Sequence, residues 1–374
     1  MMPAKTRAID TSEAPRLLKL LTEGFPAHSA AQWERRFETW WGKNPCLKTG
    51  MPIGWVLEDA ESDIVGFMGS IPVRFLVNGK PGIAVAASSW YVKPDYRGVH
   101  SLSFPLAFLR QKTPGLFLST TPTDTVKHIL RRLKFSSLAF PFQGKEYWMV
   151  LRPEGILSQV RLKYFRTKLQ NRLLTAAAIP LKLIWNSLHL LKNKRLTGHR
   201  ADRYHCSLAT TCDDSFTELW EKTARRKTTT LYRDAETLNW LLSSRFPEGS
   251  RYLIECKSRD DGRMKGYMII DLDDPAGSES RVMQMKDLFL PVFDEDALLT
   301  MIAYAAALAK EKGASFLKLW AANPECDRVL RKYMPLRKTA TFSYIYKFNL
   351  TTDSQPGPDH MFIPSLIDPD RGLI

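Results

Sequence analysis

The stretch S-S-W-Y-V-K-P-D-Y-R-G-V-H-S-L-S, Ser88 to Ser103, runs from aromatic and branched residues through Pro94-Asp95-Tyr96-Arg97-Gly98 into small polar residues that open an apolar segment. Its first part reads as a strand and its last as the start of a helix. A helix start presents backbone amides without intrahelical acceptors, and the positive end of the helix dipole, so it suits an anion. Arg97, Gly98, Val99, His100, Ser101, Leu102 and Ser103 lie where those amides point. Pro105 fits a first turn, where no amide hydrogen is needed.

Upstream, Asn78-Gly79 is a strong hairpin signal between strands at Val73 to Val77 and Ile83 to Val92. Another strand pair flanks the polar turn D-A-E-S-D inside G-W-V-L-E-D-A-E-S-D-I-V-G-F-M-G-S. Two helices precede these strands. One follows Thr11 or Ser12 as N-cap, with Leu17, Leu18, Leu20 and Leu21 as its apolar stripe; the other is A-A-Q-W-E-R-R-F-E-T-W-W, ending before Asn44-Pro45. Downstream come a helix (Leu106 to Gln111), a strand (Gly115 to Thr120), a helix (Thr125 to Leu133) and a strand around Tyr147 to Leu151. This order predicts an α/β domain of the α+β layered kind, with a normal size of about 150 residues.

The second half repeats the order. Arg251 to Glu255 and Lys265 to Asp271 mirror the strands around Trp55 and Val65, and Gly266 mirrors Gly66. L-F-L-S-T-T-P-T-D-T-V-K-H-I-L-R-R-L-K-F is answered by F-L-K-L-W-A-A-N-P-E-C-D-R-V-L-R-K-Y-M, in the frame strand, turn with Pro, helix. We expect an N-terminal domain at 1–155, a basic helical linker or insertion at 156–205, a C-terminal domain at 206–350 and an extended tail at 351–374 that Phe362 and Ile363 dock. Each domain is a mixed, mostly antiparallel sheet flanked by helices.

Charge adds a second theme. The chain carries 54 Lys and Arg against 39 Asp and Glu, a net +15, which favours polyanionic partners: nucleic acid, anionic lipid or a phosphorylated cofactor. Much of the excess sits between Arg161 and Arg200, which holds no acid. Its apolar part, interrupted by Pro180, Lys182, Asn186 and His189, is a poor match to the roughly 20 apolar residues of a spanning helix. A basic amphipathic helix pair on a membrane surface or a partner fits better, beside the plain alternative of a solvated inter-domain hairpin.

The five cysteines form no C-x-x-C pair and no zinc spacing, and the opening M-M-P-A-K-T-R-A-I-D has no apolar run after its charges. A cytoplasmic protein, membrane-peripheral through 161–200, is the expectation. D-D-P-A-G-S at 273–278 reads as a turn, and D-E-D at 294–296 lacks calcium-loop spacing, so no metal is expected.

Over Thr11 to about Leu151 the element order resembles the GNAT superfamily of acyl-CoA-dependent N-acyltransferases. Two local signatures carry the resemblance: W-Y-V-K-P-D-Y-R-G-V-H-S-L, similar to the family's fourth strand and pyrophosphate loop, and a strand followed by T-T-P-T-D, a helix and R-L-K-F. The family pattern Arg-x-x-Gly-x-Gly/Ala is altered here, with His100 and Leu102 in the glycine places. The resemblance implies an acyl-CoA, acetyl-CoA or another, as donor. It also implies attack by an amine on the thioester carbonyl beside the amides of Trp90, Tyr91 and Val92.

Further cofactor contacts are expected from Thr121 and Thr123. Asp124 and His128 are the candidate bases, and Ser89, with Ser88, the group that orients the acceptor or a water. Leu130 stands where many members have a tyrosine acid. In the second half, Asp294, Glu295 and Asp296 occupy the matching helix start and would repel a pyrophosphate, which assigns the donor to the first half.

The expected acceptor is an amine on a sugar, a lipid-linked intermediate or a small metabolite. Two other readings are carried: a Fem-type transferase using aminoacyl-tRNA, which ranks lower, and a non-catalytic module bound at a membrane surface.

Overall fold

The computed structural model describes residues 3–138, 145–152, 202–222, 228–243, 250–274, 281–321, 323–334, 336–339 and 344–349, and the backbone of 361–363. The basic segment 161–200, with the membrane and partner expectations placed on it, lies outside the described residues. Among the described residues no helix is long and apolar enough to cross a membrane.

In the first half the strands are β1 (Ala4–Ile9), β2 (Gly54–Asp59), β3 (Ile64–Val77), β4 (Lys80–Val92), β5 (Leu116–Ser119), β6 (Ser136–Ser137) and β7 (Lys145–Val150). The helices there are α1 (Leu18–Gly24), α2 (Ala30–Phe37), α3 (Val99–Leu109) and α4 (Asp124–Arg132). The second half adds β8 (Tyr204–Ala209), β9 (Thr228–Leu231), β10 (Arg251–Ser258), β11 (Met264–Asp273), β12 (Val282–Phe289), β13 (Phe316–Trp320), β14 (Leu336–Thr339), β15 (Ile345–Phe348) and β16 (Met361–Ile363). Its helices are α5 (Asp214–Glu221), α6 (Ala235–Ser243), α7 (Glu295–Glu311) and α8 (Pro324–Tyr333).

These elements form two compact units that are not contiguous in the chain. The first takes Met1–Ala139, Trp220–Phe246 and Ser343–Ile374; the second takes Phe140–Leu219 and Pro247–Phe342.

The first unit holds a sheet in the order β1-β2-β3-β4-β5-β15-β6, with β9 beside β3 and β16 beside β9. Strand β1 was not expected, because A-K-T-R-A-I shows little apolar alternation. It pairs with β2 along its whole length, and Arg7 anchors it through Glu58 (2.8 Å) and Glu13 (2.6 Å). The helix expected after Thr11 begins instead as a 3-10 turn, Thr11–Leu17, capped by Asp10 through the Ser12 amide at 2.9 Å. Helix α2 opens on a reciprocal Ser29/Gln32 capping box and turns Trp33 and Phe37 into the core.

Strand β3 runs unbroken for 14 residues, through Pro72, where two separate strands were expected. Proline suits a strand only where no ladder bond is lost. On the side away from β4, pairing with β2 stops at Gly69 and pairing with β9 starts at Phe75, so Pro72 sits in the gap between them. Side chains serve the carbonyls there: Trp41 Nε1 donates to Ser70 O at 3.0 Å, and Asn44 Nδ2 donates to Pro72 O at 2.9 Å. The Asn78-Gly79 turn forms as expected, with both residues at positive φ (53° and 76°) and Val77 opposite Lys80.

The second unit's sheet runs β8-β10-β11-β12-β13-β7-β14. Position by position this is the first sheet's topology: four antiparallel strands, a parallel neighbour, then two antiparallel strands. Register breaks recur at matching places, between Leu57 and Glu58 in β2 and between Cys256 and Lys257 in β10. Gly66 and Gly266 match as well, each backed so closely that a Cβ would come within 3.2 Å of Phe104 or 2.5 Å of the Phe289 carbonyl.

One position is exchanged between the halves. The strand next to β5 is β15, from the end of the chain, and the strand next to β13 is β7, from the first half. Strand β7 was expected in the N-terminal domain; it lies in the second sheet, with Phe316 opposite Val150 and Trp320 opposite Glu146. The two slots are topologically equivalent, so local sequence does not select between them, and the long-range partners decide. The tail segment Met361–Ile363 pairs with Thr228–Thr230 of β9.

Candidate functional site

The site begins where two parallel strands stop pairing. Strands β4 and β5 are in register only at Ala84–Leu116, Val85–Phe117 and Ala86–Leu118. Beyond Ala86, β4 keeps its partner β3 but passes through a bulge: Ser88 faces Gly69 and Tyr91 faces Phe67, so Ser89 and Trp90 together oppose Met68. Ser89 adopts φ 51°, a left-handed conformation uncommon for a non-glycine residue. The extra residue bends β4 away from β5 and opens a wedge between them.

A cavity of about 130 Å³ occupies this wedge, bounded by Ala87, Ser88, Ser89 and Trp90 on β4, Leu118 and Ser119 on β5, and Thr121, Pro122 and Thr123 in the loop that follows. Phe25, Met68, Phe108, Val126, Leu130 and Phe135 complete its wall. Its polar side chains include the hydroxyls of Ser88 and Ser89, 3.2 Å apart. None of these lining residues is titratable.

From the end of β4 the chain makes one 3-10 turn, Pro94–Tyr96, and enters α3 through Gly98. Arg97 Nε donates to the Val92 carbonyl at 3.0 Å, folding the loop back on the strand that precedes it. Gly98 has φ 97° and ψ −124°, and among the described residues no side chain caps the helix it begins. Helix α3 starts at Val99, earlier than expected, with Ser101 N bonded to Gly98 O at 3.1 Å. Pro105 is therefore in the helix interior, where its ring removes the bond to the Ser101 carbonyl, and not in the first turn.

Val99 and Leu102 are exposed, and His100 and Ser101 are half-buried at the helix start. Ser103 faces elsewhere: its hydroxyl donates to His100 O at 2.6 Å and accepts from Thr6 of β1.

The matching helix start in the second unit is closed by its own carboxylate. Asp294 caps α7 by accepting from the Ala297 amide at 3.0 Å and from the Tyr204 hydroxyl at 2.6 Å. Burial pushes the Asp294 carboxyl up, but these hydrogen bonds and Arg203 hold it below its usual value. Burial, together with Asp294, pushes Tyr204 up to about 12. An anion approaching α7 meets a fixed negative charge, whereas α3 offers an uncapped start with Arg97 beside it.

Helix α4 lies against the cavity with one face. Thr123 is its N-cap, accepting from the Val126 amide at 3.3 Å, and Val126 and Leu130, one turn apart, reach the cavity wall. Asp124 and His128 share the opposite face and are exposed. Asp124 is 97% exposed and paired with Lys127 at 2.8 Å. That hydrogen bond and the Lys127 charge hold its carboxyl below the usual range, which keeps it ionised and a weak proton acceptor. Neither candidate base lines the cavity; the 3.6-residue period that brings Leu130 in turns both of them out.

Thus Ser89, Trp90, Thr121 and Thr123 come together at the cavity, while Arg97 to Ser101 gather at the helix start. Tyr91 packs its ring 6.0 Å from Phe25, and Val92 is buried, with its carbonyl serving Arg97. Sequence reasoning missed Phe25, Met68, Phe108, Leu118 and Phe135 on the wall. The alternation of β3 and β5 and the helical period through Phe104 and Phe108 were the available signals.

Phe135 reaches the wall because Lys134 takes the left-handed position after α4 (φ 64°), and the Phe135 amide then bonds the Leu130 carbonyl at 3.0 Å. Glycine is the residue without strain there. We expect Lys134→Gly to raise stability by about 1 kcal/mol. A urea midpoint shift at constant slope measures this, and an unchanged or lower midpoint contradicts it.

No protein-family model matches the chain, and no curated protein matches it in sequence. Solved structures do match. A conserved protein of unknown function from Enterococcus faecalis V583, described as a probable N-acyltransferase, superposes with a TM-score of 0.57 at 12% identity, covering 93% of this chain and 73% of that one. A GCN5-related N-acetyltransferase from Anabaena variabilis ATCC 29413 gives 0.56 at 12% identity, covering 92% and 73%. The Saccharomyces cerevisiae N-myristoyltransferase with bound myristoyl-CoA gives 0.53 at 12% identity, covering 92% and 79%. At such identity the likeness is one of fold: the chain has the GNAT fold, and its two sheets are compatible with the tandem form.

Proposed function

We propose that the protein transfers an acyl group from an acyl-CoA thioester to an amine, using the first unit. The observation that carries this reading is the wedge between β4 and β5 lying directly upstream of an uncapped, acid-free helix start at Gly98 to Ser101. The helix start suits the donor's diphosphate, and the cavity in the wedge suits the acyl end of its thioester.

In this reading the amine nitrogen attacks the thioester carbonyl carbon. The carbonyl oxygen takes negative charge beside the backbone amides of the β4 bulge, and the C–S bond then breaks to release the CoA thiolate. The amine's surplus proton and the proton taken up by the thiolate balance. No described lining residue is a base at neutral pH, so the amine enters deprotonated, and the hydroxyls of Ser88 and Ser89 orient it or relay its proton. Acetyl-CoA or another acyl-CoA as donor, and a sugar, lipid-linked or small-metabolite amine as acceptor, belong to this proposal.

The untitratable wall also favours a second reading, a module that binds acyl-CoA without turnover.

Calorimetry with CoA tests the shared part. Wild type is expected to bind, and Arg97→Glu to bind roughly tenfold more weakly, because a negative charge then stands at the helix start. Absence of heat with wild type overturns the donor assignment. Thiol release from acyl-CoA with a panel of amines separates the enzyme from the binding module.

A further inference from the structure

We infer that the cavity between β4 and β5 selects the acyl chain, and that it fits an uncharged aliphatic acyl group of roughly four to eight carbons better than acetyl. The inference rests on the acyl-CoA reading above and names the donor within it.

Three observations carry it. The first is size: at about 130 Å³ the cavity is far larger than an acetyl methyl needs. Apolar cavities of roughly 150 Å³ take a guest the size of benzene, which sets the chain length. The second is lining: Met68, Phe108, Leu118, Leu130 and Phe135 are buried hydrophobic residues that meet at the cavity wall. With an acetyl group in place, part of that wall would lose its contacts.

The third is the absence of charge among the described lining residues. A dicarboxylic acyl group would have its free carboxylate stranded without a partner, so such donors are disfavoured. Leu130, 3% exposed, takes wall area at the place where the family resemblance led us to look for a tyrosine hydroxyl. Phe135 is swung beneath the helix by the turn at Lys134.

The full chain is titrated calorimetrically with CoA and with acetyl-, butyryl-, hexanoyl-, octanoyl-, lauroyl- and succinyl-CoA. The dissociation constant is expected to fall roughly fourfold per added methylene from acetyl to hexanoyl and then level, with succinyl-CoA no tighter than CoA. Leu130→Phe is expected to cut the hexanoyl-to-acetyl affinity ratio at least tenfold by filling the wall. If that variant does not fold, Phe135→Leu serves instead, and the levelling is expected to move to a longer chain. CoA and acetyl-CoA binding with no dependence on chain length overturns the chain selection and leaves the acyl-CoA reading standing. No binding by any member of the series overturns both.

Discussion

Ile345→Ala is expected to destabilise the first unit, by about 2–5 kcal/mol, although the residue lies near the far end of the chain. Ile345 is 1% exposed and packs in one cluster with Trp55, Val85 and Phe117 and with Leu130 and Phe135 of the cavity wall. Its strand β15 is the partner of β5 from Leu116 to Ser119, and the only described partner of β6. Truncation removes most of a buried side chain and leaves a cavity in the core of the unit. Hydrogen exchange is the direct readout: the amides of β5 should lose protection, and donor binding should weaken with them. Wild-type protection in β5, with any loss confined to residues 344–349, would contradict the exchanged pairing.

The same exchange marks where sequence reading stops. The Ser88 to Ser103 stretch was legible because strand, turn and helix start are local: the branched run, Gly98 and the small residues after it each leave a mark within a few positions. The Asn78-Gly79 hairpin was legible for the same reason. The β5–β15 and β13–β7 pairings join residues far apart in the chain, and each strand is a short run that fits either equivalent slot.

Strand β1 was missed because its fixing contacts come from Glu13 and Glu58 through Arg7, and not from an apolar alternation of its own. Pro72 split β3 in the sequence reading, since nothing local says that β2 and β9 leave a gap for it. Asp124 and His128 were chosen by chemistry and closeness in sequence. The helical phase, set by Val126 and Leu130, already placed them on the opposite face.

Gly98→Val is expected to weaken CoA binding by roughly 30-fold, about 2 kcal/mol, while the first unit keeps its fold. The argument turns on conformation and not on space. A Cβ built at Gly98 meets nothing within 4 Å, so the side chain itself has room. The obstacle is φ 97° with ψ −124°, a region that a β-branched residue avoids. Valine therefore forces the junction between Arg97 and Val99 to re-form and re-aims the amides that open α3. The loop is exposed, and β4 below it is held by β3 up to Val92, so the change should not propagate into the core. Calorimetry gives the affinity, and a urea transition gives the stability. If affinity falls in step with stability, glycine is serving the fold alone. If affinity falls while the urea midpoint stays within the error of wild type, the left-handed residue is there to aim amides at an anion.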